Sequence, residues 1–273
     1  MLGKSRTLGF AAVFLIAPAL ALGGCSSAPE TAPAGSSQEA TVPPAIVRAP
    51  TDVAGLAKTV QDATSKITTV SFTSEVSVAG KTISGKGQQK MSGGKLDAAN
   101  ISQNMGEMGQ LDMIIVDGKA YIKPPADMKL TTDDKPWVEV NEASSNPTIS
   151  AMWTGLKPTL ETSPVDTYSN FIKATSSLTY VGPETLDGVK TNHYIVDVDP
   201  GKLPAGSQEK AQLEAAGLTS IPTEMWIDES GRPVKLTQKM AVQGQALSTS
   251  MTFSKYGSPV DIKAPSAAEI STS

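Results

Sequence analysis

An α+β fold is predicted for this chain, a long antiparallel meander with helices set before it and into its middle. Three observations predict it. From Thr51 the apolar residues recur at helical spacing, and from Val70 they switch to a period of two. Turn signals of hairpin length, Asp117-Gly118 and Asp187-Gly188 among them, separate the alternating runs, which makes neighbouring strands antiparallel. The regular exchange of strand and helix that a parallel sheet needs is missing, and no segment repeats at a fixed period.

The elements follow in order. Thr51 reads as a helix N-cap followed by Asp52, and Val53, Leu56, Val60, Ala63 and Ile67 form one apolar stripe. Val70, Phe72, Val76 and Val78 then alternate with Ser71, Thr73, Glu75 and Ser77 as a half-buried strand. Polar strands are expected over 82–91 and 95–105, joined by Ser92-Gly93-Gly94, and a clearer pair over 111–116 and 120–123 flanks Asp117-Gly118. Trp137 to Val140 is a further strand. Between Asn146 and Leu160, Ile149, Met152, Trp153 and Leu156 lie among Pro and Gly and predict a short helix or a loop. Ser163-Pro164-Val165-Asp166 opens another helix, with Val165, Tyr168, Phe171 and Ile172 as its stripe. Strands are expected over 178–181 and 193–198, a short helix over 207–216 ending at Gly217, and three closing strands over 223–228, 233–242 and 246–256.

Ahead of this body the chain carries a different grammar. Lys4 and Arg6 precede an apolar run from Leu8 to Leu22, broken by Pro18 and shorter than the roughly 18–20 residues of a membrane span. Leu22-Gly23-Gly24-Cys25 follows, and Cys25 is the only cysteine. A leucine three residues before a cysteine, with small residues between, resembles a bacterial lipobox. The resemblance implies cleavage before Cys25 and a diacylglycerol on its sulfur, which places the chain at the extracytoplasmic face of the cell membrane. Residues 26–50 are rich in Ser, Ala, Thr and Pro and read as a disordered tether. The expected organisation is a signal peptide over 1–24, anchor and tether over 25–50, and a single domain over 51–273 with a short flexible C-terminal tail.

Composition narrows the function. The net charge of −4 becomes −6 once Lys4 and Arg6 leave with the leader, which argues against a nucleic-acid partner. With its cysteine committed to the anchor, the chain forms no internal disulfide. One histidine, His193, cannot build a two-histidine zinc site, and no Gly-x-Ser-x-Gly elbow or phosphate-cradling loop accompanies it. His193 reads as an ordinary sheet residue. Asp133, Asp134, Glu139 and Glu142 cluster, and a carboxylate pair of the glycosidase kind is the one enzymatic reading they leave open; solvated loop charges are the plainer one. No metal or cofactor is expected, and no enzymatic activity. Met105, Met108, Met113, Met128 and Met152 crowd the middle of a chain that retains three Phe after cleavage. Such residues either fill gaps in a core or line a surface that adapts to variable apolar ligands.

Several stretches are similar to the actinobacterial lipoproteins of the LppX/LprAFG type, relatives of the periplasmic lipoprotein carrier LolA. They are Ile115-Val116-Asp117-Gly118-Lys119-Ala120-Tyr121, the run from Val181 to Val189, Pro222 to Asp228, Gly231 to Lys235, and Phe253 to Gly257. The resemblance covers about residues 51–270 and implies a strongly curved antiparallel sheet, a half-barrel closed on its concave face by helices, around an apolar cavity. Some relatives bind acylated glycolipids there and help move them across the envelope. The family has no fixed cavity motif, so the candidate wall residues come from alternation: Phe72, Val76, Met113, Ile115, Met152, Trp153, Phe171 and Met225. The leading expectation is a membrane-anchored carrier of an acylated lipid or glycolipid, working with an envelope transporter or another membrane protein. The alternative is a sensor lipoprotein of the same fold that engages a membrane protein and transports nothing.

Overall fold

The computed structural model describes residues 49–92, 95–130, 133–161, 170–242 and 244–271. The leader, Cys25, all but the last residues of the tether and the expected helix start at Ser163 lie outside the described residues. The first helix, α1 (Val53–Thr64), is capped by Asp52 rather than Thr51: the Asp52 carboxylate accepts the Gly55 N–H at 2.8 Å. It leads into β1 (Thr69–Val78), β2 (Lys81–Ser92), β3 (Lys95–Asn104), β4 (Gln110–Val116), β5 (Lys119–Lys123) and β6 (Trp137–Val140). After α2 (Pro147–Glu161) and a helical stretch over 170–173 come β7 (Thr175–Leu186) and β8 (Val189–Val198). The chain closes with α3 (Gln208–Ala215), β9 (Ile221–Asp228), β10 (Pro233–Val242), β11 (Gln245–Ser254) and β12 (Ile270–Ser271).

Among the described residues, twelve strands form one open sheet in the order β12-β6-β5-β4-β3-β2-β1-β11-β10-β9-β8-β7. Two antiparallel meanders therefore meet back to back where β1 pairs with β11, and the chain must travel from the β6 edge to the β7 edge between them. The described parts of that connection lie on the concave face. Ile149 and Leu156 of α2 pack on the β3–β6 half, and Ile172 packs on the β8–β9 half. Where sequence spacing predicted a short helix or loop, α2 runs for 15 residues. Pro147 is its first residue, where the missing N–H leaves no bond unmade.

Local chemistry sets the turns. Asp117 and Gly118 have φ of 53° and 72°, as do Asp187 and Gly188 at 48° and 82°, the two left-handed residues that a two-residue hairpin requires. At the β9–β10 turn the buried Asp228 accepts the backbone N–H of Ser230 and of Arg232, both at 2.9 Å, and pairs with the Arg232 guanidinium at 2.7 Å. α3 starts at Ser207, whose hydroxyl accepts the Lys210 N–H.

Beyond residue 265, where a tail is expected, Ile270 and Ser271 pair in parallel with Trp137 and Val138 of β6. Glu269 holds this strap: its carboxylate accepts the Ser266 hydroxyl at 2.7 Å and the Ser266 N–H at 3.0 Å, and its carbonyl accepts the Trp137 N–H. Those bonds hold the Glu269 carboxyl below its ordinary value of 4.5. A depressed folded pKa gives stability that is complete above the ordinary value and is lost as pH falls through the folded one. Acidification below the ordinary carboxylate range is expected to loosen the strap. NMR contacts between Ile270 and Trp137 should fade while those between β1 and β11 persist; contacts that persist equally would contradict this.

Candidate functional site

Register fixes what the concave face presents. One row of cross-strand neighbours runs Ile122, Met113, Ile101, Gly87, Phe72, Phe253. The next runs Ser74, Met251, Leu236, Met225, Tyr194, Tyr180. Gly87 belongs in the first row because Phe72 lies across it: a Cβ there would sit 2.6 Å from the Phe72 ring and 2.5 Å from the Asn100 carbonyl oxygen. Burial pushes the Tyr194 phenol up to about 12, so this floor stays neutral.

The expected wall residues separate into three groups. Met113 and Ile115 are buried beneath α2 in a cluster with Ile149 and Leu156, and Met152 and Trp153 pack on its edge, half-buried. Met225 is fully buried with α1 in a second cluster, and Phe171 packs against it, half-buried. Phe72 belongs to a third, central cluster with Met251 and Phe253. Val76 is buried on the same face, beside Ile83 and Thr249. The buried members are filled core; the half-buried ones lie where α2 and the 170–173 turn leave the sheet partly covered.

Sequence reasoning missed Leu236 and Met240, half-buried apolar residues on the concave face of β10. Their signal is a period of two, Leu236, Gln238, Met240, masked by the polar residue in the middle. Another feature has no sequence signal: the Trp153 indole N–H is buried and meets no hydrogen-bond acceptor among the described residues. A buried donor without a partner is costly in water-free surroundings and marks a position where an acceptor fits.

The polar candidates lie elsewhere. His193 stacks on Trp226 with ring centroids 4.3 Å apart, and Glu184 and Glu224 flank it at 3.5 and 3.3 Å. Trp226 donates its N–H to Glu184 at 2.6 Å, and Lys235 stands over its ring. The alternation of β8 and β9 puts this group on the convex face. Glu139 pairs with Lys119, and Asp133 accepts the Lys135 N–H, so the acidic residues of that region make separate local contacts. Among the described residues no three His, Cys, Asp or Glu side chains are grouped to hold a metal.

An open, curved antiparallel sheet of this order, with helices over its concave face, is the LolA-like architecture. The chain belongs to the LppX/LprAFG lipoprotein family, whose model matches residues 52–262. Among solved structures, Mycobacterium tuberculosis lipoprotein LppX aligns at TM-score 0.50 and 15% identity, over 77% of this chain and 98% of that one. LprF from Mycobacterium bovis aligns at TM-score 0.52 and 15% identity, over 79% and 97%. At that identity the likeness is one of fold. An uncharacterized 31.2 kDa protein of Streptomyces griseus, from the rplA-rplJ intergenic region, is 24% identical over 151 residues, and the chain spans about half of its length, 50%. No helix among the described residues is long and apolar enough to cross a membrane.

Proposed function

We propose that this lipoprotein is held to the extracytoplasmic face of the cell membrane by a diacylglyceryl group on Cys25, and that it carries an acylated lipid or glycolipid on its concave face. The observation that carries the reading is an apolar band left half-covered at the edges of two filled clusters, Met152 and Trp153 beside one and Phe171, Leu236 and Met240 beside the other. Acyl chains fit such a band because they need apolar area and little direction, and Met152 adapts to variable chains. The unpartnered Trp153 N–H beside them suits the carbonyl of an acyl ester. Family membership supports the anchor, since these proteins are lipoproteins, and the chain places its one cysteine behind a lipobox-like leader. Envelope lipid transport is the role such a tethered carrier would serve, handing its cargo to a membrane protein.

Two substitutions of the same kind test the band against a filled core. Met113 is 7% exposed, so Met113→Trp should overpack the cluster and cost about 1–3 kcal/mol. Met152 stands at the open edge, so Met152→Trp should cost much less and lower the lipid recovered with the protein. Urea midpoints and lipid content, measured on both variants, decide. Equal destabilisation with unchanged lipid would sink the carrier reading at these positions.

A further inference from the structure

The end of the sheet from which β2 and β11 begin combines apolar exposure with positive charge. Because β1 pairs with β11, the β1–β2 and β10–β11 turns stand side by side, with Val78 opposite Leu247. Val78 is 37% exposed and Ile83 36%, and both belong to the concave-face rows of these strands. Met240 and Leu247 are half-buried behind them, and Ala79 and Ala246 are exposed at the turns. Residues 73–86 and 239–248 contain Lys81, Lys86 and Lys239 against a single acid, Glu75, in a chain whose net charge is −4. Glu107 and Asp127 lie by the neighbouring β3–β4 connection, so the cationic part is confined to these two tips.

The attachment of the tether points the same way. Ala49 packs against the cluster that runs along β8 and β9, from Val198 and Ile221 at the tip end to Ile227 toward the other. The other end of α1 abuts the opposite turn, since a Cβ on Gly231 would lie 2.8 Å from the Thr59 carbonyl oxygen. The tether thus enters the body at the end that bears the two tips. The 23 residues 26–48 of the tether span about 80 Å at most.

We propose that the paired β1–β2 and β10–β11 tips form the surface on which the body rests against an anionic lipid bilayer. Apolar side chains flanked by lysines bind such an interface through buried area and attraction to acidic headgroups. The contact would turn the tip-end rim of the concave face, Met240 and Leu247, toward the bilayer. The inference rests on the anchored reading above only for which end faces the membrane; it does not require an occupied cavity.

The test uses the acylated full chain in vesicles of phosphatidylcholine and phosphatidylglycerol with a lipid-borne quencher. An environment-sensitive thiol dye is placed at Ala79→Cys or, at the opposite end of the sheet, at Asp187→Cys. Emission from the Ala79 site should be quenched and that from the Asp187 site should not. Lys81→Glu with Lys239→Glu should remove the quenching, at about fivefold in partitioning per lysine. Equal quenching at both sites, or at neither, overturns the proposal. Dye uptake by the wild-type chain would instead show Cys25 unacylated, a failure of the anchor alone. The contact is then read by sedimentation with the same vesicles, where Val78→Asp with Ile83→Asp should bind about tenfold more weakly. Unchanged sedimentation overturns the proposal in that case too.

Discussion

Chains carrying Cys25→Ala are expected to accumulate at precursor size and to take up no labelled palmitate, the largest effect of any single substitution here. The Cys25 thiol is the only one in the chain, so no second sulfur can accept the diacylglyceryl group. Two acyl chains at about 0.8 kcal/mol per buried methylene make a lasting anchor, where one chain gives only marginal binding. Removing the sulfur removes the whole term. Metabolic labelling followed by mass measurement reads both steps at once. Palmitate incorporation at wild-type level in the variant would overturn the lipobox reading.

Gly87→Ala is expected to destabilise the body by about 3 kcal/mol, the upper end of the usual range for overpacking. The added methyl meets the Asn100 carbonyl oxygen at 2.5 Å and the Phe72 ring at 2.6 Å. The ring can move, but the carbonyl belongs to the neighbouring strand β3 and is fixed by the ladder. Phe72→Ala in the same chain should therefore relieve only part of the strain, a coupling that a double-mutant cycle on the urea midpoints would resolve. Additive losses would mean that the ring does not lie across Gly87.

The same glycine shows why some of the fold was legible and some was not. Hairpins with Asp-Gly announced themselves because few other residue pairs accept two successive positive φ angles, and Asp117-Gly118 and Asp187-Gly188 both do. β2 looked merely polar because its inward positions are Gly85, Gly87 and Gln89, which contribute space rather than side-chain hydrophobicity to the concave face. β7 proved longer than its apolar stretch, Leu178 to Val181. It is the sheet's outer strand, so Ser176, Ser177 and Glu184 remain exposed and no burial writes a pattern there. α2 was underestimated because Pro147 and Pro158 read as breakers, while the helix runs from the first and through the second.

For the site, alternation grouped the apolar residues of β1, β4 and β9 by face. It could not separate the filled positions, Met113 and Met225, from the half-covered ones, Met152 and Phe171. That distinction depends on where the crossing segment lies over the sheet, a long-range property with no local signal. The Trp153 N–H was equally invisible, since an unpaired donor is a statement about everything around it.

The carrier reading is tested most directly by extracting the purified, unlipidated body, made without the leader and Cys25, with organic solvent and weighing what is released. With no acyl anchor to bring bilayer lipid along, any lipid in the extract was held by the fold. About one acylated lipid per chain is expected, falling in Met152→Trp. An extract free of lipid, from protein purified without detergent exchange and still folded, would contradict the carrier and leave an anchored lipoprotein with a covered, unoccupied face.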